Sequence, residues 1–316
     1  MLNDNTPEVF SLKDLVALNV VSIPFFWQDY IPKQGFGILT GPSDSSKSTF
    51  VRQLAFSTAQ KNTQFLGKAL NPIKGKVLII ASEDGKISTA AIVRKQNAHL
   101  LSEEVQENIR FMFRSIRNIQ HLDEILTDFP VDLVIIDTWT DSFREDINSS
   151  IKVRENLEAF NDIAEKHDCF ILGIHHNRKS GDPNQAHKQN VLGSMAIEAV
   201  SRVVIDLRPC DDNKRKITIV KGNYISDNLK MKPVYLDLNP ESLHLSLSLI
   251  QQNGTEGRIS KEKKEEYMVI INDLKIKRVS NANIERFLKE KYPNENTPSK
   301  TTIHNWLNEA GNSQSQ

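Results

Sequence analysis

Gly35-Phe-Gly-Ile-Leu-Thr-Gly-Pro-Ser-Asp-Ser-Ser-Lys-Ser-Thr-Phe50 is the stretch on which the reading of the chain turns. Gly37 to Thr40 reads as a buried strand, the residues after it as a turn-rich loop, and Lys47-Ser48 as the opening of a helix. Strand, loop and helix, with a Lys-Ser pair at the helix start, is the layout of a phosphate-binding loop. Consecutive backbone N–H groups in such a loop turn inward and make an anion nest, and the helix N-terminus adds partial positive charge. Lys47 then reaches the β- and γ-phosphates of a nucleotide, and the Ser48 hydroxyl takes Mg²⁺. The candidate nucleotide-binding residues are Gly41, Pro42, Ser43, Asp44, Ser45, Ser46, Lys47, Ser48 and Thr49. The stretch departs from G-x-x-x-x-G-K-[ST] at the second glycine, which is Ser46. Serine is expected to fit there only with ordinary dihedrals, because glycine alone takes positive φ without a steric cost. A Ser-rich turn that caps a helix is the competing reading.

Downstream strands supply carboxylates. Gly75-Lys-Val-Leu-Ile-Ile-Ala81 reads as a buried strand ending in Ser82-Glu83-Asp84-Gly85. Acidic residues at the carboxyl end of a parallel strand lie where such sheets bind ligands. One of the two carboxylates is placed to polarise an attacking water; an acidic turn capping the helix from Lys86 is the alternative. Asn108 to Arg114 reads as a strand and Ile119 to Asp128 as a helix. Val131-Asp-Leu-Val-Ile-Ile-Asp137 is an apolar strand closed by an aspartate, the pattern that holds Mg²⁺ through water opposite the loop serine. A helix is expected over 148–167, and Cys169-Phe-Ile-Leu-Gly-Ile-His-His176 as a strand ending in two histidines, either a γ-phosphate sensor or a polar strand edge.

Asn177 to Asn190 is long, polar and basic; Arg178, Lys179, His187 and Lys188 suit phosphate-backbone contacts, and a surface loop is the other reading. After a helix ending near Val200, four strand-like runs follow closely over 201–247, without helices between them, and predict an antiparallel flank on a mostly parallel sheet. The expected fold is therefore α/β, a mostly parallel sheet with an antiparallel flank, plus a small all-α C-terminal domain. Its boundaries read as an N-terminal arm over 1–34, a core domain over 35–250, a linker over 251–260 and a helical domain over 261–316. In the last, Ser299-Lys-Thr-Thr-Ile-His-Asn-Trp-Leu opens a helix that resembles the second helix of a helix-turn-helix. Lys300, Thr301, Thr302 and Asn305 would face a DNA groove while Ile303, Trp306 and Leu307 pack inward; a helical bundle joining subunits or partners is the alternative. In the arm, Phe25-Phe-Trp-Gln-Asp-Tyr-Ile31 either covers the sheet, wraps a neighbouring subunit or contacts adenine.

Bulk properties exclude little else. The 316 residues carry 40 Lys and Arg against 40 Asp and Glu, so net charge is silent on nucleic acid and any binding surface must be local. No apolar run approaches the ~20 residues that span a bilayer, so no membrane partner is expected. The first residues lack the basic and apolar regions of a signal peptide. Cys169 and Cys210 have no metal spacing, and a reducing cytoplasm is the expected location.

In this order, Gly41 to Ser48, Ser82-Glu83-Asp84, Val134-Ile-Ile-Asp137-Thr138, His175-His176, Gly193-Ser194 and Val220-Lys221-Gly-Asn223 resemble RecA-type P-loop ATPases. More narrowly they resemble the RepA-like hexameric replicative helicases, AAA family ATPases of plasmids and mobile elements. The resemblance covers about residues 24–247. It implies that Glu83 activates water, that Asp137 coordinates Mg²⁺, and that His176 couples the γ-phosphate to a DNA loop. It also implies a basic residue acting in trans on a neighbour's ATP, for which Arg202 and Lys221 are both candidates. The family arginine before the Gly-Ser pair is Leu192 here. The expectation is an ATP- and Mg²⁺-dependent enzyme working on DNA, single-stranded in the first instance, as a homo-oligomer, a hexameric ring or a filament. The rival is a nucleotide-gated DNA-binding regulator or loader ATPase with little turnover, in recombination or defence.

Overall fold

The computed structural model describes residues 9–116, 118–142, 149–176, 195–210, 213–248, 261–292, 297–298, 300, 302–304 and 306–307. They fall into two compact units, Met1–Gln251 and Gln252–Gln316.

The first unit opens with helix α1 (Leu12–Ala17) and the hairpin β1 (Phe25–Trp27) and β2 (Ile31–Pro32). Strand β3 (Gly35–Gly41) leads through the loop into α2 (Lys47–Ala59), and a second small hairpin, β4 (Gln64–Phe65) and β5 (Lys68–Ala69), follows. Next come β6 (Val77–Ala81), α3 (Lys86–Lys95), α4 (Glu103–Glu107), β7 (Ile109–Met112), α5 (Ile119–Asp128), β8 (Leu133–Asp137), α6 (Trp139–Ser142), α7 (Ser150–Lys166) and β9 (Phe170–His176). Helix α8 (Met195–Val200) precedes β10 (Val203–Pro209), β11 (Lys214–Gly222), β12 (Val234–Asn239) and β13 (His244–Leu247).

Nine strands form one sheet in the order β13-β12-β11-β10-β3-β9-β8-β6-β7. From β10 to β7 every neighbour is parallel, and from β10 to β13 every neighbour is antiparallel. The expected α/β sheet with an antiparallel flank is thus observed. The reason lies in the residues. Strands β3, β6 and β8 are buried at every position, as strands covered on both faces must be, and are accordingly rich in Val, Ile and Leu. On one face Phe50, Val51, Leu54 and Ala55 of α2 pack on Leu39, Ile79, Ile135 and Leu172. On the other, Leu122 and Leu126 of α5 and Val153, Leu157 and Phe160 of α7 pack on Ile38, Ile80, Val134 and Ile136.

Side chains set the helix starts and the strand spacing. Asn118 and Ser149 each accept a backbone N–H from the residue three positions on, capping α5 and α7. Asp132, just before β8, accepts from the N–H groups of Ile73, Lys74 and Gly75 and so pins the turn entering β6 beside β8.

The arm that reads as 1–34 in sequence joins the core from Phe25 on. Trp27 is 1 % exposed, stacks on Tyr30 at 4.1 Å and donates its indole N–H to Phe65 O at 3.0 Å. These aromatics, with Phe50, form part of the core over α2. Only α1 and its flanks stay outside: α1 buries none of its residues.

The second unit holds α9 (Lys261–Ile276) and α10 (Asn281–Lys291), and residues 300, 302–304 and 306–307 are also helical. Tyr267, Ile271, Ile284, Leu288 and Ile303 form its core, with Trp306 and Leu307 packed against it.

Candidate nucleotide-binding site

Strand β3 ends on Gly41, and only glycine is compatible there: φ is +155°, and a Cβ would lie 2.1 Å from the carbonyl oxygen of Leu207 on β10. The loop that follows puts Asp44 (φ 61°) and Ser46 (φ 71°) in the left-handed region. Positive-φ residues in a short turn point successive N–H groups to one side, which is the physical basis of an anion nest. Ser46 departs from the sequence expectation. It does not keep ordinary dihedrals but takes the glycine-like φ 71°, ψ 26°. A left-handed non-glycine costs about 1–2 kcal/mol. Nor does the hydroxyl cap α2, which has no side-chain cap bond; it accepts a hydrogen bond from Nε of Arg215 at 3.0 Å.

Lys47 is the first residue of α2 and 4 % exposed. Its ammonium is folded back on the loop, donating to Gly41 O at 3.0 Å, Pro42 O at 2.7 Å and Ser45 Oγ at 3.3 Å. Burial lowers its pKa to about 8, against the pull of Asp137, Glu83, Asp206 and Asp44. Those carboxylates therefore surround the ammonium from several strands. Asp137 closes β8 and is buried, Glu83 follows β6 and is exposed, and Asp206 lies on β10 opposite Thr40. Arg52, one turn further along α2, has its pKa lowered by burial while Asp137 and Asp84 oppose the shift. Ser48 is half-buried at the first turn of α2, and Thr49 behind it is buried.

Ser82 ties the two acidic strand ends together. Its N–H donates to Asp137 O at 2.8 Å; its hydroxyl accepts from Thr138 N at 3.1 Å and lies 2.9 Å from Asp141 Oδ2. Asp137 faces its β6 partner Ala81 in register.

The donor set fits Mg²⁺ with a polyphosphate. Among the described residues no group of three or more His, Cys, Asp or Glu could hold a metal alone. A hydroxyl and a single strand-end carboxylate leave most of the coordination shell to phosphate oxygens and water, the habit of Mg²⁺. The left-handed loop and the close approach at Gly41 form the cradle such a phosphate needs.

The remaining sequence candidates distribute as follows. Arg202 and Lys221 lie at the amino end of β10, beside the start of β3, away from the loop at the other end of that strand. Arg202 pairs with Glu165 at 3.0 Å, and Lys221 donates to the carbonyl of Ser201. The backbone of His176 ends β9 opposite Gly41, and its neighbour His175 is buried with its ring 6.3 Å from that of Trp139. Lys300 is exposed and its N–H donates to Glu285 at 2.9 Å; Thr302 is half-buried. Arg178, Lys179, His187, Lys188, Thr301 and Asn305, with Leu192 and the Gly193-Ser194 pair, fall outside the described residues. Sequence reading missed Arg215, Ser82 and Arg52. The run Lys214-Arg215-Lys216 after a polar turn was a visible signal for the first, but only the β10–β11 register brings it to the loop.

Comparison with known proteins agrees with this geometry. The solved structure of a helicase ATPase domain superposes with a TM-score of 0.51 at 11 % identity, covering 68 % of this chain and 85 % of that one. That likeness establishes the RecA-like P-loop fold. No curated protein sequence matches. The family described as "AAA domain" matches residues 24–182, half of the chain, from the β1–β2 hairpin through β9. The chain belongs to that AAA domain family, built on a RecA-like P-loop ATPase fold.

Proposed function

We propose that the protein is a Mg²⁺-dependent ATP hydrolase acting on DNA as an oligomeric ring or filament, a RepA-like helicase or translocase of a mobile element. The observation that carries the reading is the buried Lys47 at the head of α2, under the joint influence of Asp137 and Glu83. In ATP hydrolysis the loop N–H groups hold the phosphates and Lys47 turns from the loop carbonyls to the β- and γ-oxygens. Ser48 and Asp137 would hold Mg²⁺, which neutralises charge developing on the phosphates. Glu83, exposed at the end of β6, orients the attacking water and takes its proton. His176 would report the γ-phosphate, and Arg202 or Lys221 would serve a neighbouring copy.

Assembly is supported by the N-terminal segment, where Val9, Phe10, Leu12, Leu15, Val16 and Leu18 are all more than half exposed. A contiguous exposed apolar segment of this kind marks an interaction site. Contacts to single-stranded DNA are assigned to the 177–190 loop, and the helix carrying Lys300 and Thr302 is a second DNA surface, in a helix-turn-helix-like unit.

The test is steady-state ATP hydrolysis with Mg²⁺, with and without single-stranded DNA, on wild type and Glu83→Gln. Hydrolysis that rises with DNA and collapses in the variant supports a DNA-driven motor. Tight ATP binding with no turnover in wild type overturns it, in favour of a nucleotide-gated DNA-binding regulator. Ser46, which replaces the second loop glycine, is the observation that favours that second reading.

A further inference from the structure

Arg215 stands out because its charge is unanswered. It is half-buried, and burial lowers its pKa. Its Nε donates to Ser46 Oγ at 3.0 Å and one Nη1 proton to Lys214 O at 2.9 Å. A guanidinium carries five N–H donors, so Nη2 and the second Nη1 proton have no protein acceptor among the described residues. No carboxylate pairs with it there either. Its neighbours Arg208 and Lys216 differ: Arg208 pairs with Asp206 at 2.6 Å, and Lys216 is buried on the other side of the strand, next to Arg208 in register. A partly desolvated guanidinium without a counter-ion is unfavourable unless an anion arrives. Here it is hydrogen-bonded directly to a residue of the phosphate loop.

Strand order says which part of a nucleotide it meets. The loop leaves β3; Asp137 and Glu83 stand on the β8 and β6 side, and Arg215 stands on the β11 side, across β10. The carboxylates mark the end where water attacks. Arg215 therefore flanks the loop on the side away from the reacting phosphate.

We propose that Arg215 is a nucleotide-binding residue that holds the non-transferred phosphates of a nucleoside di- or triphosphate, with Ser46 as the residue that positions its guanidinium. The substitution of glycine by Ser46 thereby has a function. The hydroxyl that a glycine would lack fixes the Arg215 fork, and the left-handed backbone preserves the loop's N–H directions. This inference rests on the nucleotide-binding reading above and adds to it a side chain that is not part of the phosphate-loop motif.

The experiment is equilibrium binding of ADP and of ATP to the full chain by calorimetry, for wild type, Arg215→Ala, Arg215→Lys and Ser46→Ala. Loss of a charge-assisted hydrogen-bonded contact predicts weaker binding by about ten- to a hundredfold. The loss should be equal for ADP and ATP, and in turnover it should appear in KM rather than in kcat. Arg215→Lys should recover part of the affinity by charge alone, and Ser46→Ala should show a smaller loss of the same kind. Wild-type affinity for ADP in a folded Arg215→Ala protein would overturn the proposal. So would a loss confined to ATP and accompanied by a fall in kcat, which would put the guanidinium at the γ-phosphate. Should Arg215→Ala not fold, Arg215→Gln gives the same comparison with the side chain's bulk retained. If wild type binds neither nucleotide, the nucleotide-binding reading falls with this one; if wild type binds and Arg215→Ala is unaltered, only the Arg215 assignment falls.

Discussion

Asp206 and Arg208, two positions apart on β10, form an ion pair of 2.6 Å with only 1 % and 4 % of their side chains exposed. They lie beside the strand that delivers the phosphate loop, Asp206 directly opposite Thr40. Removing one partner of a buried pair leaves the other charge without its counter-ion, which costs about 3–5 kcal/mol. Asp206→Ala should therefore lower stability by that order in urea unfolding. The double variant Asp206→Ala/Arg208→Met should recover part of the loss. Equal stability of wild type and Asp206→Ala would show that the pair is solvated in solution.

Lys47 makes a pH prediction. Its folded pKa is about 8, below the unfolded value of 10.5. Between these values the unfolded chain binds more protons, so this group makes the nucleotide-free protein more stable as pH rises from about 8 to 10.5. Below that window the cost of burying the charge is fully present. Lys47→Met removes the charge, so the nucleotide-free variant should be more stable than wild type at pH 7, by roughly 1–3 kcal/mol. The same variant should lose ATP turnover. Thermal unfolding across the window checks the first statement and a hydrolysis assay the second.

Glu83 and Asp137 have separable roles that single variants should resolve. Glu83→Gln keeps the shape and loses the base, so kcat should fall by about 10²–10⁴ while ATP binding persists. Asp137→Asn should weaken the Mg²⁺ dependence, shifting the metal concentration required for half-maximal turnover upward. Magnesium titrations of both variants distinguish them.

Gln53 of α2 completes the edge of β13: Nε2 donates to Leu245 O and Oε1 accepts from Leu245 N, both at 2.8 Å. Gln53→Ala leaves two buried backbone groups unsatisfied, at about 1–3 kcal/mol each. A drop of several degrees in Tm is expected; an unchanged Tm would mean that water replaces the amide.

Much of this arrangement was legible in the chain. Strands β6, β8 and β9 are runs of apolar residues with polar ends, and Asn118 and Ser149 announce helix starts. The Lys47-Ser48 pair identified the loop despite Ser46. What was not legible depends on partners distant in sequence. Ser46's left-handed backbone is imposed by the strand and helix it joins, against its own preference. Arg215 reaches the loop only through the antiparallel register of β11, and Trp27 joins the core only because α2 and the β4–β5 hairpin present Phe50 and Phe65 to it. Residue types report what a segment prefers; pairing decides what it meets.

The helix behind the phosphate loop is fastened by consecutive residues pulling toward opposite edges of the sheet. Gln53 binds β13, while Arg52 donates to Gln96 at 2.8 Å, and Gln96 returns a bond to Thr49 O at 3.2 Å. Helix α2 thus works as a crossbeam spanning the sheet. A push on its head from an arriving or departing phosphate cannot be absorbed by swinging the helix alone. It is transmitted as load to both edges together, to the antiparallel flank and to the end of α3.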